Sequence, residues 1–167
     1  PCYNTAEVLQ CPADTDLSLL REALVQLYRE NEGFRVRTRI ADGAASQQIL
    51  PLEAFLAGID LLVDEDELSD TAEAGEENAS DLPESALPDS DLPASVRAWA
   101  QRLLAQPLAT DEGVTVRSAV ARYGGFLWVY HSFSHVVADG FAAFNGLSRV
   151  AAIYRALSAG QPVPATR

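Results

Sequence analysis

The chain of 167 residues has no lysine and no methionine, and all twelve of its basic residues are arginine. Set against 24 acidic side chains, they leave a net charge of −12. That excludes the basic surface that nucleic-acid phosphates require, and it argues equally against docking on anionic lipid. The missing lysine and methionine read as a GC-rich coding background rather than as function. No apolar run approaches the roughly 20 residues of a membrane-spanning helix. The opening Pro1-Cys2-Tyr3 carries neither a basic region nor an apolar signal core, so a cytoplasmic protein is expected. Cysteine is scarce: Cys2 and Cys11 sit outside any CxxC or metal-ligand spacing, and two reduced thiols are expected rather than a disulfide across the short loop. Without a secretory signal the sequon Asn78-Ala79-Ser80 carries no weight.

Basic residues are also missing from the whole stretch between Arg39 and Arg97, whereas thirteen acidic residues lie from Asp60 to Asp91. Rich in Ser, Ala, Pro and Glu, this stretch reads as an acidic, solvated loop at about 64–92 rather than as a docking tail, because it holds too little apolar surface to fold. At 48% hydrophobic, the chain has material for one domain, 1–167.

What is present falls into short periodic segments. Tyr3 to Leu9 reads as a strand. Asp14 or Asp16 then caps a helix with Leu17, Leu20, Ala23, Leu24, Leu27 and Tyr28 on one face. Asn31-Glu32-Gly33 is its stop signal. Phe34 to Ile40 alternates, so Phe34, Val36, Thr38 and Ile40 share one face and Arg35, Arg37 and Arg39 the other. Asp42-Gly43 turns the chain into a returning strand at Gln47 to Leu50. After the acidic loop, Pro93-Ala94-Ser95 leads a helix through Val96, Trp99, Leu103 and Leu104. Val114 to Ala121 and Phe126 to Phe133 form a hairpin about Tyr123-Gly124-Gly125. Phe141, Phe144, Leu147, Val150, Ala151, Tyr154 and Leu157 mark a last helix, closed by Gly160 and Pro162. The order β-α-β-β-loop-α-β-β-α predicts an α/β layered sandwich, a mixed sheet flanked by helices.

The strongest chemical signal is Phe133-Ser134-His135-Val136-Val137-Ala138-Asp139-Gly140, an apolar strand running into a His-x-x-x-Asp-Gly turn. It displays His135 where a strand ends and a helix begins. This stretch resembles the His-His-x-x-x-Asp-Gly core motif of nonribosomal peptide synthetase condensation domains, which belong with chloramphenicol acetyltransferase-like acyltransferases. Asn31-Glu32-Gly33-Phe34-Arg35-Val36-Arg37 is similar to the family's His-Glu-x-Leu-Arg-Thr-x-Phe segment. Gln106 to Gly113 is similar to the run that precedes its hairpin. The tail, Asp139-Gly140-Phe141 with Ile153-Tyr154 and Gly160-Gln161-Pro162, is most similar to starter condensation domains of siderophore synthetases. In two respects the chain departs from the family: Ser134 replaces the first motif histidine, and only the N-terminal lobe of a two-lobed domain is expected.

The resemblance implies a reaction joining a carrier-bound acyl thioester to a carrier-bound aminoacyl amine. It makes His135 the catalytic residue, as base or as positioner of the amine. It makes Asp139 a clamp on the turn through an ion pair to Arg35, with Gly140 serving the backbone and Ser134 inside the site. No cofactor is implied beyond the phosphopantetheine of partner carrier proteins. Peptidyl or aryl carriers, the C-terminal lobe and an adenylation domain are the implied partners. A non-catalytic carrier-binding module and a coenzyme A-dependent acyltransferase lobe remain the alternative readings. His131 falls on the same strand side as His135, but a two-histidine metal site lacks further ligands at suitable spacing.

Overall fold

The computed structural model describes residues 4–65, 67–69 and 92–166, with the side chains of residues 140–144 outside the description. Most of the acidic loop, the sequon and Cys2 therefore lie outside the described residues. A four-stranded mixed sheet forms the middle layer. Its strands, in spatial order, are β1 (Asn4–Pro12), β6 (Phe126–Ser134), β5 (Val116–Tyr123) and the two-residue β4 (Val63–Asp64). β6 is antiparallel to both neighbours, whereas β4 runs parallel to β5. Helices α1 (Leu17–Glu30) and α4 (Gly140–Ser158) cover one face, and α3 (Ala94–Leu104) covers the other.

The alternation of the strands builds these layers. Val116 and Val120 of β5, with Leu127, Val129 and Phe133 of β6, meet Leu20, Leu24, Leu27 and Ile153 of the helix pair. The intervening residues Ala119, Trp128 and Tyr130 meet Val96, Trp99 and Leu103 of α3. Because both faces are covered, β6 is buried from Leu127 to Ser134 and reads in sequence as an apolar run rather than an alternation. The β5–β6 hairpin turns on Gly124 and Gly125, both at positive φ (62° and 77°), as a two-residue reversal requires.

Helix ends follow their sequence signals. Asp16 accepts hydrogen bonds from the Ser18 and Leu19 amides at the start of α1. At its end, Asn31, the first residue of the expected stop, closes the helix, donating from its side chain to Leu27 O at 2.9 Å. α4 closes on Gly160 (φ 62°), with the Gln161 amide bonded to Ala156 O and the Gly160 amide to Leu157 O, the reciprocal pair of a Schellman motif.

Two expectations need correction. Phe34 and Arg35 belong to a single 3-10 turn, Glu32–Arg35, and the strand β2 (Val36–Ala41) begins only afterwards. β2 pairs with β3 (Ala44–Ile49) as a separate two-stranded sheet whose alternating face is buried only at its start, Val36, and leaves the core by Ile40, which is 83% exposed. The short helix α2 (Leu52–Ala57) and strand β4 were not anticipated. Neither is long enough to show a period, although Phe55 of α2 is fully buried against Tyr28.

The hairpin is moored by the Thr38 amide bonding to Thr110 O at 2.9 Å. Below that mooring, Gly113 has φ +96°, and a Cβ there falls 2.6 Å from Leu50 Cδ1. Gly113→Ala is expected to lose about 2–4 kcal/mol in urea unfolding, from left-handed strain plus overpacking. Gly43→Ala, with φ +75° but nothing within 4 Å, loses only the strain, about 1–2 kcal/mol.

Candidate functional site

The motif turn begins where β6 leaves the sheet. Ser134, 1% exposed, is its anchor. Its amide donates to Thr115 O at 2.9 Å, its carbonyl accepts from the Val137 and Ala138 amides, and its Oγ accepts from the Val136 amide at 3.3 Å. A serine hydroxyl reaching two residues ahead is a local turn-former. Ser134 therefore shapes the turn with its backbone and side chain together. Thr115 continues the chain of contacts by donating its Oγ to Phe34 O. Nothing in the spacing marks Thr115, which lies 81 residues from Phe34 in sequence. This bridge fixes the motif turn to the 3-10 turn.

His135 follows Ser134 directly and is exposed, and its imidazole makes no hydrogen bond among the described residues. Asp139 is also exposed and precedes Gly140, the first residue of α4. The expected clamp from Asp139 to Arg35 is not formed. Arg35 is 8% exposed, and its Nε donates to Tyr28 O at 3.0 Å, its Nη1 to Leu50 O, and its Nη2 to Glu32 Oε1 at 3.5 Å. The end of α1 leaves Tyr28 O without an intrahelical partner, and the hairpin return exposes Leu50 O beside it. A buried guanidinium must satisfy its donors, and these two carbonyls fill its fork. Arg35 thus joins helix end to hairpin instead of holding the turn. Arg37 bonds Gln48 across the hairpin and Arg39 is exposed, so the three arginines form no common site.

The turn borders an open cleft of about 800 Å³ through Val137 and Ala138. Gly33, Phe34 and Asn145 line it, as does the ion pair of Glu30 with Arg149. Arg149 Nε and Nη2 meet the two carboxylate oxygens of Glu30 at 2.8 and 2.7 Å, tying α1 to α4. Hydrogen bonding from Arg149 holds the Glu30 carboxyl below the usual carboxylate range. His135 is not among the lining residues, so the turn presents the imidazole outside this cleft.

His131 does not share the surroundings of His135. It is 4% exposed on β6, and its Nε2 lies 3.0 Å from the Tyr28 hydroxyl. The described residues contain no group of three or more metal-ligand side chains. None of the described helices is long and apolar enough to cross a membrane. Cys11 is a free thiol whose burial pushes its pKa up.

Burial pushes the His131 pKa down to about 4 from 6.5. In the unfolded chain the imidazole takes its proton near 6.5, whereas the folded protein resists until about 4. Stability therefore falls as pH drops through that window, by about 3 kcal/mol, and this group adds no further loss below it. His131→Asn keeps a polar partner for Tyr28 and removes the titration. Urea unfolding at pH 7 and pH 4 should show the variant losing about 3 kcal/mol less than the parent. Equal losses would contradict the burial of a neutral imidazole.

No known family profile and no curated protein matches the sequence. Solved structures do. The starter condensation domain of rhizomide synthetase RzmA superposes with a TM-score of 0.72 at 20% identity, covering 99% of this chain and 35% of that one. The first condensation domain of the calcium-dependent antibiotic synthetase, in complex with a substrate analogue, gives 0.72 at 25% identity, again over 99% and 35%. A further structure of the first condensation domain of the CDA synthetase gives 0.70 at 26%, over 99% and 37%. The chain spans about a third of the length of these domains. Motif order, sheet topology and superposition agree: the chain has the fold of one lobe of a nonribosomal peptide synthetase condensation domain.

Proposed function

We propose that the chain is the N-terminal lobe of a condensation domain, forming an amide between a carrier-bound acyl thioester and a carrier-bound aminoacyl amine. The observation that carries this reading is an exposed His135 held on a turn that Ser134 and Thr115 fasten to the core. In the proposed step the amine lone pair attacks the thioester carbonyl, the C–N bond forms and the C–S bond breaks. The nitrogen gives its proton to His135, or is oriented by it, and the departing thiolate takes a proton. Orientation contributes strongly because a thioester is already activated. Ser134 in place of the first motif histidine supports a turn-forming role at that position. Asp139 and Gly140 set the join between turn and helix, and Arg35 acts one step removed, through the helix–hairpin corner.

The second wall of the site belongs to the remaining lobe, and carrier proteins and an adenylation domain are the proposed partners. A siderophore-type product is the finer proposal, resting on the resemblance of the tail Asp139-Gly140-Phe141 and Gly160-Gln161-Pro162. A soluble coenzyme A thioester is the second donor to consider, since a variant of the RzmA starter domain has been solved in complex with C8-CoA.

The test places the chain in its complete two-lobed domain, supplies acyl- and aminoacyl-loaded carriers or acyl-coenzyme A, and follows amide formation by mass spectrometry. His135→Ala is expected to lower the rate by about 10²-fold or more. An unchanged rate would remove the catalytic assignment and leave a carrier-binding module.

A further inference from the structure

A second, separate cavity of about 200 Å³ lies between the sheet and the helix pair. Leu20 and Leu24 of α1, Val129 of β6, and Leu147 and Val150 of α4 form its apolar walls. It shares no lining residue with the cleft beside the motif turn. Exposed Leu9, Ala151 and Arg155 mark its mouth, at the outer edge of the sheet.

One feature of its wall breaks the pattern. Val116, Ser118 and Val120 of β5 point to the same face and are 2%, 1% and 0% exposed. A third valine is what burial alone selects there. Ser118 instead lines the cavity with an Oγ that has no hydrogen-bond partner. The Tyr28 hydroxyl is a close enough neighbour to feel Ser118, but it bonds His131 at 3.0 Å, and no group meets Ser118 Oγ with hydrogen-bond geometry. Buried polar groups are normally paired, so an orphan facing an apolar cavity marks a place for an incoming partner. The size fits: apolar cavities near 150 Å³ stay dry and bind benzene, so this one takes a molecule of about eight heavy atoms.

We infer that this cavity is a binding site for a neutral, largely apolar small molecule carrying one hydrogen-bonding group, with that group meeting Ser118 Oγ and the apolar body lying between α1 and α4. The inference stands apart from the chemistry at His135. Its consequence reaches that turn, because α4 forms one wall and begins at Gly140. Occupancy ties α4 to α1 and the sheet and favours the folded state by mass action.

The probes are p-cresol and its isostere p-xylene, titrated into the chain carrying Cys2→Ser, with amide shifts followed by two-dimensional NMR. The expected result is saturable shifts at Leu24, Ser118, Val129 and Val150, with p-cresol binding about tenfold more tightly than p-xylene. Ser118→Val removes that preference and keeps p-xylene binding. Independently, saturating p-cresol slows alkylation of Cys11, which lines the cavity, about tenfold in the protein with Ser118 intact. Absence of saturable shifts at these amides, equal affinities for the two probes, or unprotected Cys11 would each overturn the assignment. None of these outcomes depends on amide-forming activity.

Discussion

The double pairing of β6 is the constraint on which the rest depends. Nine consecutive register pairs join it to β1, from Asn4↔Ser134 to Pro12↔Phe126, and eight join it to β5. With both edges bonded and both faces covered, its polar residues have no solvent to turn to. His131 stays inside against Tyr28, and Ser132 and Ser134 are 1% exposed. The first residue free of these demands is His135. A strand fixed on four sides and then released within one residue gives an exposed imidazole a fixed origin.

The surrounding elements extend that fixed origin. Thr115 links the end of β6 to Phe34, and Arg35 links Tyr28 at the end of α1 to Leu50 beyond the hairpin. Two short-range corners thereby share one support. The Glu30–Arg149 pair joins the same end of α1 to α4, the helix that leaves the motif turn. Only 16% and 15% of these side chains are exposed, so the pair is screened less than a surface bridge. The condensation domains that superpose on the chain are about three times its length.

Much of this was legible in the sequence, for physical reasons. The α1 face from Leu20 to Tyr28 and the Gly124-Gly125 reversal follow from local sterics and periodicity and stand as read, and of the two candidate caps, Asp14 and Asp16, the helix uses Asp16. The His-x-x-x-Asp-Gly spacing located the turn, because strand exit and helix entry are both local events. The pairing of Asp139 with Arg35 was wrong because charge matching ignores competitors. The backbone carbonyls of Tyr28 and Leu50 take the guanidinium's donors instead. Ile40 misled for the opposite reason: its strand alternates, yet the hairpin stands off the core, and alternation records two faces without saying that either is covered. The parity of His131 and His135 failed because period-two logic ends with the strand, at Ser134. Ser118 and Thr115 carried no signal at all, since their meaning comes from residues far away in sequence.

The rigidity of β6 is tested most directly by residue-resolved amide hydrogen exchange on the folded chain. The β6 amides from Leu127 to Ser134 are expected to exchange last, at the rate of global unfolding. Amides of the β2–β3 hairpin and of the turn from Val136 to Ala138 exchange through smaller openings and go earlier. Exchange of β6 as fast as the hairpin would contradict the claim that His135 is displayed from a rigid strand.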